Sequence, residues 1–311
     1  MLLPRFEAER PRAGRRWYKA HGLGNDYLVV EEGRDWPLSA EAVARVCDRT
    51  RGVGSDGVVV VLAEPPGPPF RLRGFNPDGG EFERSGNGLR ILASYLHRNG
   101  RVGTGAPFDI EVGGDRIRME VHGASADGVY DVSVAMGRAS VDPAAVALAP
   151  GALDARGRLE VPELGAVVVQ TVSVGNPHVV VFAETAGGGG AFTVETLHRL
   201  GPRLATHAAF AHGTNVQLAR PVPGERAVEA LIWERGVGPT TASGTSSCAV
   251  AVAAVHTGRV PPGEVEVRLE GGTLRVTVTA DLDVVLRGPV QEVATGELTD
   301  GFMAWLGGGG G

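Results

Sequence analysis

Cysteine and long apolar segments are both scarce in this sequence. Only Cys47 and Cys248 occur among 311 residues, too few for the disulfide framework of a small secreted protein, although a single bridge stays open. No window approaches the roughly 18 to 20 uninterrupted apolar residues that cross a bilayer, and the N-terminus lacks the apolar core of a signal peptide. These absences predict a soluble, cytoplasmic protein with no membrane partner.

An excess of basic charge is also missing. Thirty lysines and arginines stand against 36 acidic residues, which gives a formal net charge of −6. Proteins that bind nucleic acid present a concentrated basic surface. A nucleic-acid partner is therefore not expected.

The length of the chain predicts two domains. Single cores stop growing beyond roughly 250 to 300 residues, and 43% of this chain is hydrophobic, enough for sizeable cores. Residues 1–14 carry charges and two prolines without a periodic pattern and are predicted to form a mobile leader. The glycine runs at 187–190 and 307–311 are predicted to be a flexible loop and a flexible tail.

Short β-branched or aromatic runs bounded by Gly, Pro and Asn predict strands. These runs are RWYKAHG, DYLVVEE, DGVVVVLAE, PFRLRGFN, FDIEVG, RIRMEVHG and VYDVSVAMG. Between them, Ser39 is the predicted N-cap of a short helix whose apolar positions are Val43, Val46 and Cys47.

Two longer helices are predicted from apolar spacing. The helix after Ser85 has one apolar face, and we expect it to pack against a sheet; that face comprises Leu89, Leu92, Ala93 and Leu96. The segment SSCAVAVAAVHTG is apolar on nearly every side and ends at Gly258, so structure should enclose it all round.

The two halves of the chain repeat the same order of features. HGLGND, strands and SGNG precede one apolar helix, and SVGNPH, strands and SGTSS precede the other. We therefore predict two similarly built halves, each a curved sheet around a helix, with the two loops facing each other across a cleft.

The loops that open the two apolar helices could carry chemistry. A helix N-terminus offers unpaired N–H groups and the positive end of the helix dipole, so it binds carboxylates. Two such ends aimed at one point could hold an α-carboxylate and stabilise charge on the neighbouring carbon, which suits proton removal without a cofactor. The ordinary alternative is that Ser85 and Ser243 are merely N-caps.

Six longer motifs make the interpretation more specific. They are KAHGLGNDYLVV, RGVGSDGVVV, FNPDGGEFERSGNGLR, SVGNPHVVVF, GTNVQLA and ERGVGPTTASGTSSCA. In this order they resemble the successive signatures of the diaminopimelate epimerase family, and the likeness extends from about Trp17 to Trp305. The resemblance implies an α+β fold of two similar α/β domains, each a curved, mostly antiparallel sheet around a central helix. The first domain would comprise residues 15–138 and 289–306, and the second would comprise residues 139–288. The resemblance implies an amino-acid epimerase or racemase that acts on a small-molecule amino acid, needs no metal or cofactor and commonly forms homodimers.

The resemblance also implies roles for single residues. The distal amino and carboxylate groups of a diamino diacid would be held by Asn25, Asn76, Asn176, Asn215 and Arg235, with Glu234 beside them. The reacting carboxylate would be held at the helix ends by Gly86, Asn87, Gly244 and Thr245. His178 would lie near one acid/base residue and help to set its protonation.

This chain departs from the family at the two acid/base positions. The family uses two cysteines, whereas Ser85 and Ser243 occupy those places here, with His178 and Glu234 as the available helpers. A thiol has a reference pKa of about 8.5 that a helix N-terminus lowers further. A serine hydroxyl is a far weaker acid and needs a neighbouring base.

Three hypotheses remain open at this point. The chain is an epimerase whose cysteines were deliberately replaced, which leaves binding intact and chemistry impaired. Alternatively, it is a natural relative that catalyses another proton transfer, such as racemisation of a different amino acid, dehydration of a hydroxyproline-like acid or a double-bond isomerisation. In the third hypothesis it is a catalytically silent amino-acid-binding protein.

Overall fold

The computed structural model describes residues 15–32, 39–63, 67–82, 85–185 and 191–307. The predicted mobile leader, the glycine run at 187–190 and the predicted tail beyond Gly307 lie outside these residues. No helix in the described ranges has both the length and the apolar character to span a bilayer.

The fold is α+β and consists mostly of strands. The strands are β1 (Arg16–Gly22), β2 (Asn25–Glu31), β3 (Val58–Val61), β4 (Phe70–Phe75), β5 (Glu81–Phe82), β6 (Phe108–Val112), β7 (Asp115–Ala124), β8 (Val129–Arg138), β9 (Arg158–Val161), β10 (Gly165–Val168), β11 (Gln170–Ser173), β12 (Pro177–Phe182), β13 (Asn215–Pro221), β14 (Ala227–Glu234), β15 (Gly238–Thr240), β16 (Gly263–Leu269), β17 (Gly272–Val278) and β18 (Asp283–Glu297). The α-helices are α1 (Ala40–Cys47), α2 (Gly86–Arg98), α3 (Val194–Ala205), α4 (Gly244–His256) and α5 (Asp300–Leu306).

The local sequence signals explain several of these elements. RWYKAHG forms β1, and the other predicted runs form β2, β3, β4, β6, β7 and β8. Ser39 caps α1 as predicted, because its side chain accepts a hydrogen bond from the backbone N–H of Ala42 at 3.1 Å. These predictions are confirmed.

The two halves are built to one plan. In the first half, the strand order β1-β2-β3-β4-β6-β7-β8 has parallel pairs at β2–β3 and β4–β6 and antiparallel pairs elsewhere. In the second half, β11-β12-β13-β14-β16-β17-β18 repeats the pattern, with parallel pairs at β12–β13 and β14–β16. The predicted likeness of the halves is therefore confirmed.

Strand β18 belongs to both halves. It pairs with β17 in the second half, with β8 along most of its length, and with β1 towards its end. The β1–β18 pairing closes the first half into a barrel. In the second half, an isolated bridge joins Ser173 of β11 to Ser140, which follows β8. The domain boundary at 288/289 falls inside β18 and stays a prediction.

Each barrel contains one central helix. All of the α4 positions from Ser246 to Val255 are buried, in agreement with its apolar sequence, and it packs on the strands of the second half. Helix α2 lies in the first barrel, but it is buried more completely than the single predicted face requires. Arg90 and Ser94 on its polar side are also fully buried.

The close enclosure of α4 predicts a stability difference between two Ala→Leu substitutions. Ala251 is fully buried in α4, so Ala251→Leu overpacks the core and should lower the free energy of unfolding by about 1 to 3 kcal/mol. Ala304→Leu in the exposed face of α5 is the control and should change it by less than about 0.5 kcal/mol. Urea unfolding measures both, and equal losses would contradict the enclosed position of α4.

Candidate active site

The N-termini of the two central helices meet in the middle of the molecule. A Cβ atom on Gly86 would lie 3.7 Å from the Cα of Gly244 and 2.8 Å from Leu286 Cδ2. A Cβ on Gly244 would lie 3.6 Å from the Cα of Gly86 and 3.0 Å from the same leucine carbon. The distances between the two glycines are those of ordinary van der Waals contact, whereas a side chain at either position would crowd Leu286. The approach brings two sets of N–H groups and two positive dipole ends together.

Ser85 stands at the start of α2. Its Oγ accepts a hydrogen bond from the backbone N–H of Gly88 at 3.1 Å, so it does cap the helix. Its hydroxyl also donates to the phenolic oxygen of Tyr27 at 3.1 Å. Burial raises the pKa of Tyr27 to about 12, against a partial lowering by the bond from Ser85.

Ser243 stands at the start of α4, and its side chain makes no capping hydrogen bond. Its hydroxyl lies near the carboxylate of Glu234. Burial raises the pKa of Glu234, and the nearby Ser243 hydroxyl partly lowers it. Ser243 therefore differs from Ser85 in that its side chain does not cap its helix and has a carboxylate beside it.

A chain of polar side chains supports the first helix end. Asn87 donates from Nδ2 to Asn25 Oδ1 at 2.8 Å, and Asn25 donates in turn to Asp56 at 2.9 Å. On its other side, Asn87 accepts from the guanidinium of Arg90 at 2.6 Å. Burial lowers the pKa of Arg90 to about 10, so this fully buried side chain stays charged near neutral pH.

His178 is part of a second polar chain. The ring Nε2 bonds to Asn176 Oδ1 at 2.8 Å, and the amide of Gln217 bonds to ring Nδ1 at 3.1 Å and to Ser246 at 3.1 Å. Because an amide nitrogen can only donate, Nδ1 accepts and Nε2 carries the proton. Burial lowers the pKa of His178 to about 3, so the imidazole is neutral and orients Asn176.

Asn215 and Arg235 lie together at the ends of their strands. The Asn215 side chain donates to the carbonyl of Pro177 at 3.1 Å and accepts from the backbone N–H of Arg235 at 3.0 Å. The Arg235 side chain is exposed and bonds to the carbonyl of His212. Asn215 thereby fixes the backbone that carries Arg235.

The other predicted site residues lie apart from these chains. Thr245 is half-buried in the first turn of α4, and Asn76 lies in an exposed turn after β4. The structure thus joins Asn25 to Asn87, Asn176 to His178 and Asn215 to Arg235 by hydrogen bonds, and it places Ser243 near Glu234. Within the described residues, the side chain of Asn76 forms no hydrogen bond with another site residue.

Sequence reasoning missed four residues of the site. They are Tyr27, Asp56, Arg90 and Gln217. Each lies inside one of the six motifs, and that position in the sequence could have identified it as a site residue. Its role depends on contacts across strands, which the linear sequence does not display.

The two cysteines are free and buried thiols, which removes the open question of a bridge. Cys47 bonds to Ser55 at 3.3 Å, and burial raises its pKa. Burial also raises the pKa of Cys248, to about 12. Because the pKa of each thiol is raised, neither side chain is suited to act as a thiolate. Within the described residues, no group of three or more His, Cys, Asp or Glu side chains could hold a metal ion.

Comparison with known proteins identifies the class of this fold and site. The family model described as diaminopimelate epimerase matches residues 17–141 and 170–293. The diaminopimelate epimerase of Desulforudis audaxviator (strain MP104C) is 41% identical over 90% of this chain and 97% of its own. That of Synechococcus sp. (strain JA-3-3Ab) is 37% identical over 90% of this chain and 96% of its own. The chain therefore belongs to the diaminopimelate epimerase family.

A solved structure has the same fold. The hydroxyproline epimerase of Agrobacterium vitis superimposes with a TM-score of 0.62 over 93% of this chain and 94% of its own, at 14% identity. At that identity the likeness concerns the fold alone.

The buried neutral state of His178 predicts a pH dependence of stability. The unfolded chain takes up a proton at His178 below its reference pKa of about 6.5, whereas the folded chain does so only near 3. Folded stability should therefore fall as the pH drops below 6.5, by up to about 1.4 kcal/mol per pH unit from this residue.

Urea unfolding between pH 7 and pH 4 measures this contribution. His178→Gln should flatten the pH dependence, whereas His212→Gln, in an exposed position, should leave it steep. If His178→Gln and the parent protein lose stability in parallel, the folded imidazole takes up its proton near the ordinary pKa.

Proposed function

We propose that this protein is a cofactor-independent epimerase that interconverts LL- and meso-diaminopimelate, a precursor of lysine and peptidoglycan. The observation that carries the proposal is the contact of the two helix N-termini at Gly86 and Gly244, with a serine at each N-cap. The family membership and the names of its relatives support the choice of substrate.

The meeting helix ends suit the charge that forms during epimerisation. Removing the α-proton of an amino acid places negative charge on the α-carbon and its carboxylate. Donors fixed at that position stabilise the charge without reorganising. In this proposal, Gly86 and Asn87 bind the carboxylate from α2, and Gly244 and Thr245 bind it from α4.

Inversion further requires a base on one face of the α-carbon and an acid on the other. We assign these roles to Ser85 and Ser243, which head different helices. Glu234 receives the hydroxyl proton of Ser243, consistent with the effect of the nearby Ser243 hydroxyl on the pKa of Glu234. His178 acts indirectly, because its neutral ring holds Asn176 in place.

The distal end of the substrate carries an ammonium and a carboxylate on one carbon. Asparagine offers both donors and acceptors, and arginine grips a carboxylate at two points. Asn25, Asn76, Asn176, Asn215 and Arg235 are assigned to this end, with Asn215 acting through the backbone of Arg235. The family also supports a homodimer in the cytoplasm, and light scattering of the purified protein would test the dimer.

This assignment predicts selectivity for a diamino diacid. Calorimetry should show diaminopimelate binding more tightly than alanine or proline, because only the diacid engages the distal group. Arg235→Met should weaken diaminopimelate roughly tenfold to a hundredfold by removing a charged hydrogen bond. Arg220→Met, whose arginine pairs with Glu229 on the surface, is the control. Equal affinity for diaminopimelate and alanine would count against the assigned substrate.

The serines predict a slow enzyme that cysteines would accelerate. A helix N-terminus can bring a thiol near neutrality, whereas a hydroxyl stays far from it. The double variant Ser85→Cys, Ser243→Cys should therefore epimerise diaminopimelate faster than the parent, and each single variant should gain much less. Rates of α-proton exchange in deuterated water provide the measurement.

A matched control separates this effect from thiol chemistry in general. Ser94→Cys makes the same change inside α2, where Ser94 bonds to Tyr18 away from the helix end. It should bring no gain. A double variant no faster than the parent would show that positions 85 and 243 are not the acid/base positions.

A further inference from the structure

We propose that Tyr27 is the proton partner of Ser85, as Glu234 is of Ser243, so that each serine relays a proton between the substrate and the oxygen behind it. Tyr27 acts through Ser85 and is thus a positioning and relay residue. The inference rests on the proposed epimerase function. It adds the residue that allows Ser85 to act as an acid or base on its face of the substrate α-carbon.

The geometry of Tyr27 carries this assignment. Its phenolic oxygen lies 3.1 Å from Ser85 Oγ, at the start of α2 where the two helices meet. The ring is buried and packs so closely on Gly57 that a Cβ there would lie 2.5 Å from Tyr27 Cε1. The hydroxyl is therefore held in one place.

The chemistry explains why a serine needs such a partner. A serine hydroxyl does not exchange a proton with a substrate near neutral pH unless a neighbouring group takes up or supplies that proton. A phenol, with a reference pKa of about 10, is a much better proton donor than an alkyl hydroxyl. It can also accept, because hydroxyl oxygens serve in both directions.

Charges around the two pairs set their resting protonation. Asp56, Glu234 and Cys47 are the titratable groups that act on Tyr27, and all of them raise its pKa, as burial does. Arg49 is bound to Asp56. The pKa of Glu234 is raised by burial and by Asp56 and partly lowered by the nearby Ser243 hydroxyl. Tyr27 therefore rests protonated and can serve as the acid, and the proposal assigns the role of base to the Glu234 carboxylate.

The proton transfers then balance over one inversion. The Cα–H bond breaks, its proton passes to Ser243 Oγ, and the Ser243 hydroxyl proton passes to the Glu234 carboxylate. The electron pair stays on the substrate. On the opposite face, the Ser85 hydroxyl turns from Tyr27 and gives its proton to the α-carbon, while the phenolic proton of Tyr27 passes to Ser85. Proton exchange with water restores Tyr27 and Glu234, and the reverse reaction uses them in exchanged roles.

Tyr27→Phe tests the relay because it separates exchange from inversion. The variant keeps the ring packing and removes only the hydroxyl. In deuterated water, epimerisation of diaminopimelate should fall about a hundredfold or more. Exchange of the α-proton that faces Ser243 should continue, without inversion, in one stereoisomer only. A loss of structure alone would reduce exchange and inversion together.

Two further variants complete the experiment. Tyr18→Phe is the matched control, because Tyr18 is also a buried tyrosine bonded to a serine of α2, Ser94, at 2.9 Å. It should keep both activities. Ser85→Cys added to Tyr27→Phe should restore inversion, because a thiol supplies the proton itself. If Tyr27→Phe fails to fold, Ser85→Ala should show the same one-sided exchange.

The outcomes separate this inference from the proposed function. Unchanged inversion by Tyr27→Phe in an active protein overturns the relay and leaves the function standing. Tight calorimetric binding of diaminopimelate by the parent, without exchange or inversion, overturns both the relay and the proposed catalysis and leaves a binding protein. If the parent neither binds nor inverts diaminopimelate, the proposed function itself fails, and the relay with it.

Discussion

The approach of the helix ends at Gly86 and Gly244 is the constraint on which the rest of the site depends. Two helices from different barrels come together here end to end, with both glycines packed against Leu286. Their unpaired N–H groups and dipoles then add at one place. Like ends of two dipoles repel each other, so the arrangement is favourable when an anion lies between them. The electrostatics of helix N-termini thus explain why a carboxylate would bind between these two helices.

The two halves share a plan but support their helix ends by different means. In the first half, the charged Arg90 is buried and bonded to Asn87. In the second half, the corresponding support is the neutral pair of His178 and Gln217. Burying a charge costs far more than burying a neutral group that is hydrogen bonded. The first half therefore contributes a buried positive charge beside its helix end. The second half contributes neutral hydrogen bonds that orient the neighbouring side chains.

Much of the fold was predictable because its signals are local. The cap at Ser39, the all-round apolar sequence of α4 and the repeated order of motifs each depend on residues close in the chain. The burial of Arg90 on the polar side of α2 was not predictable, because its side chain is accommodated by contacts with Asn87 and the glycines of distant strands. The hydrogen bond of Ser85 to Tyr27 and the nearness of Ser243 to Glu234 likewise depend on strand register, which brings together residues far apart in sequence.

The shared strand β18 has a consequence for the synthesis of the protein. The first barrel is closed by pairing of β1, at the start of the described chain, with the last strand. A ribosome therefore releases almost the whole chain before the barrel that began to form first can be completed. Until then, the edges of β1 and β8 remain open to wrong partners. Such distant pairing also slows folding, so the nascent first half stays vulnerable to aggregation for most of its translation.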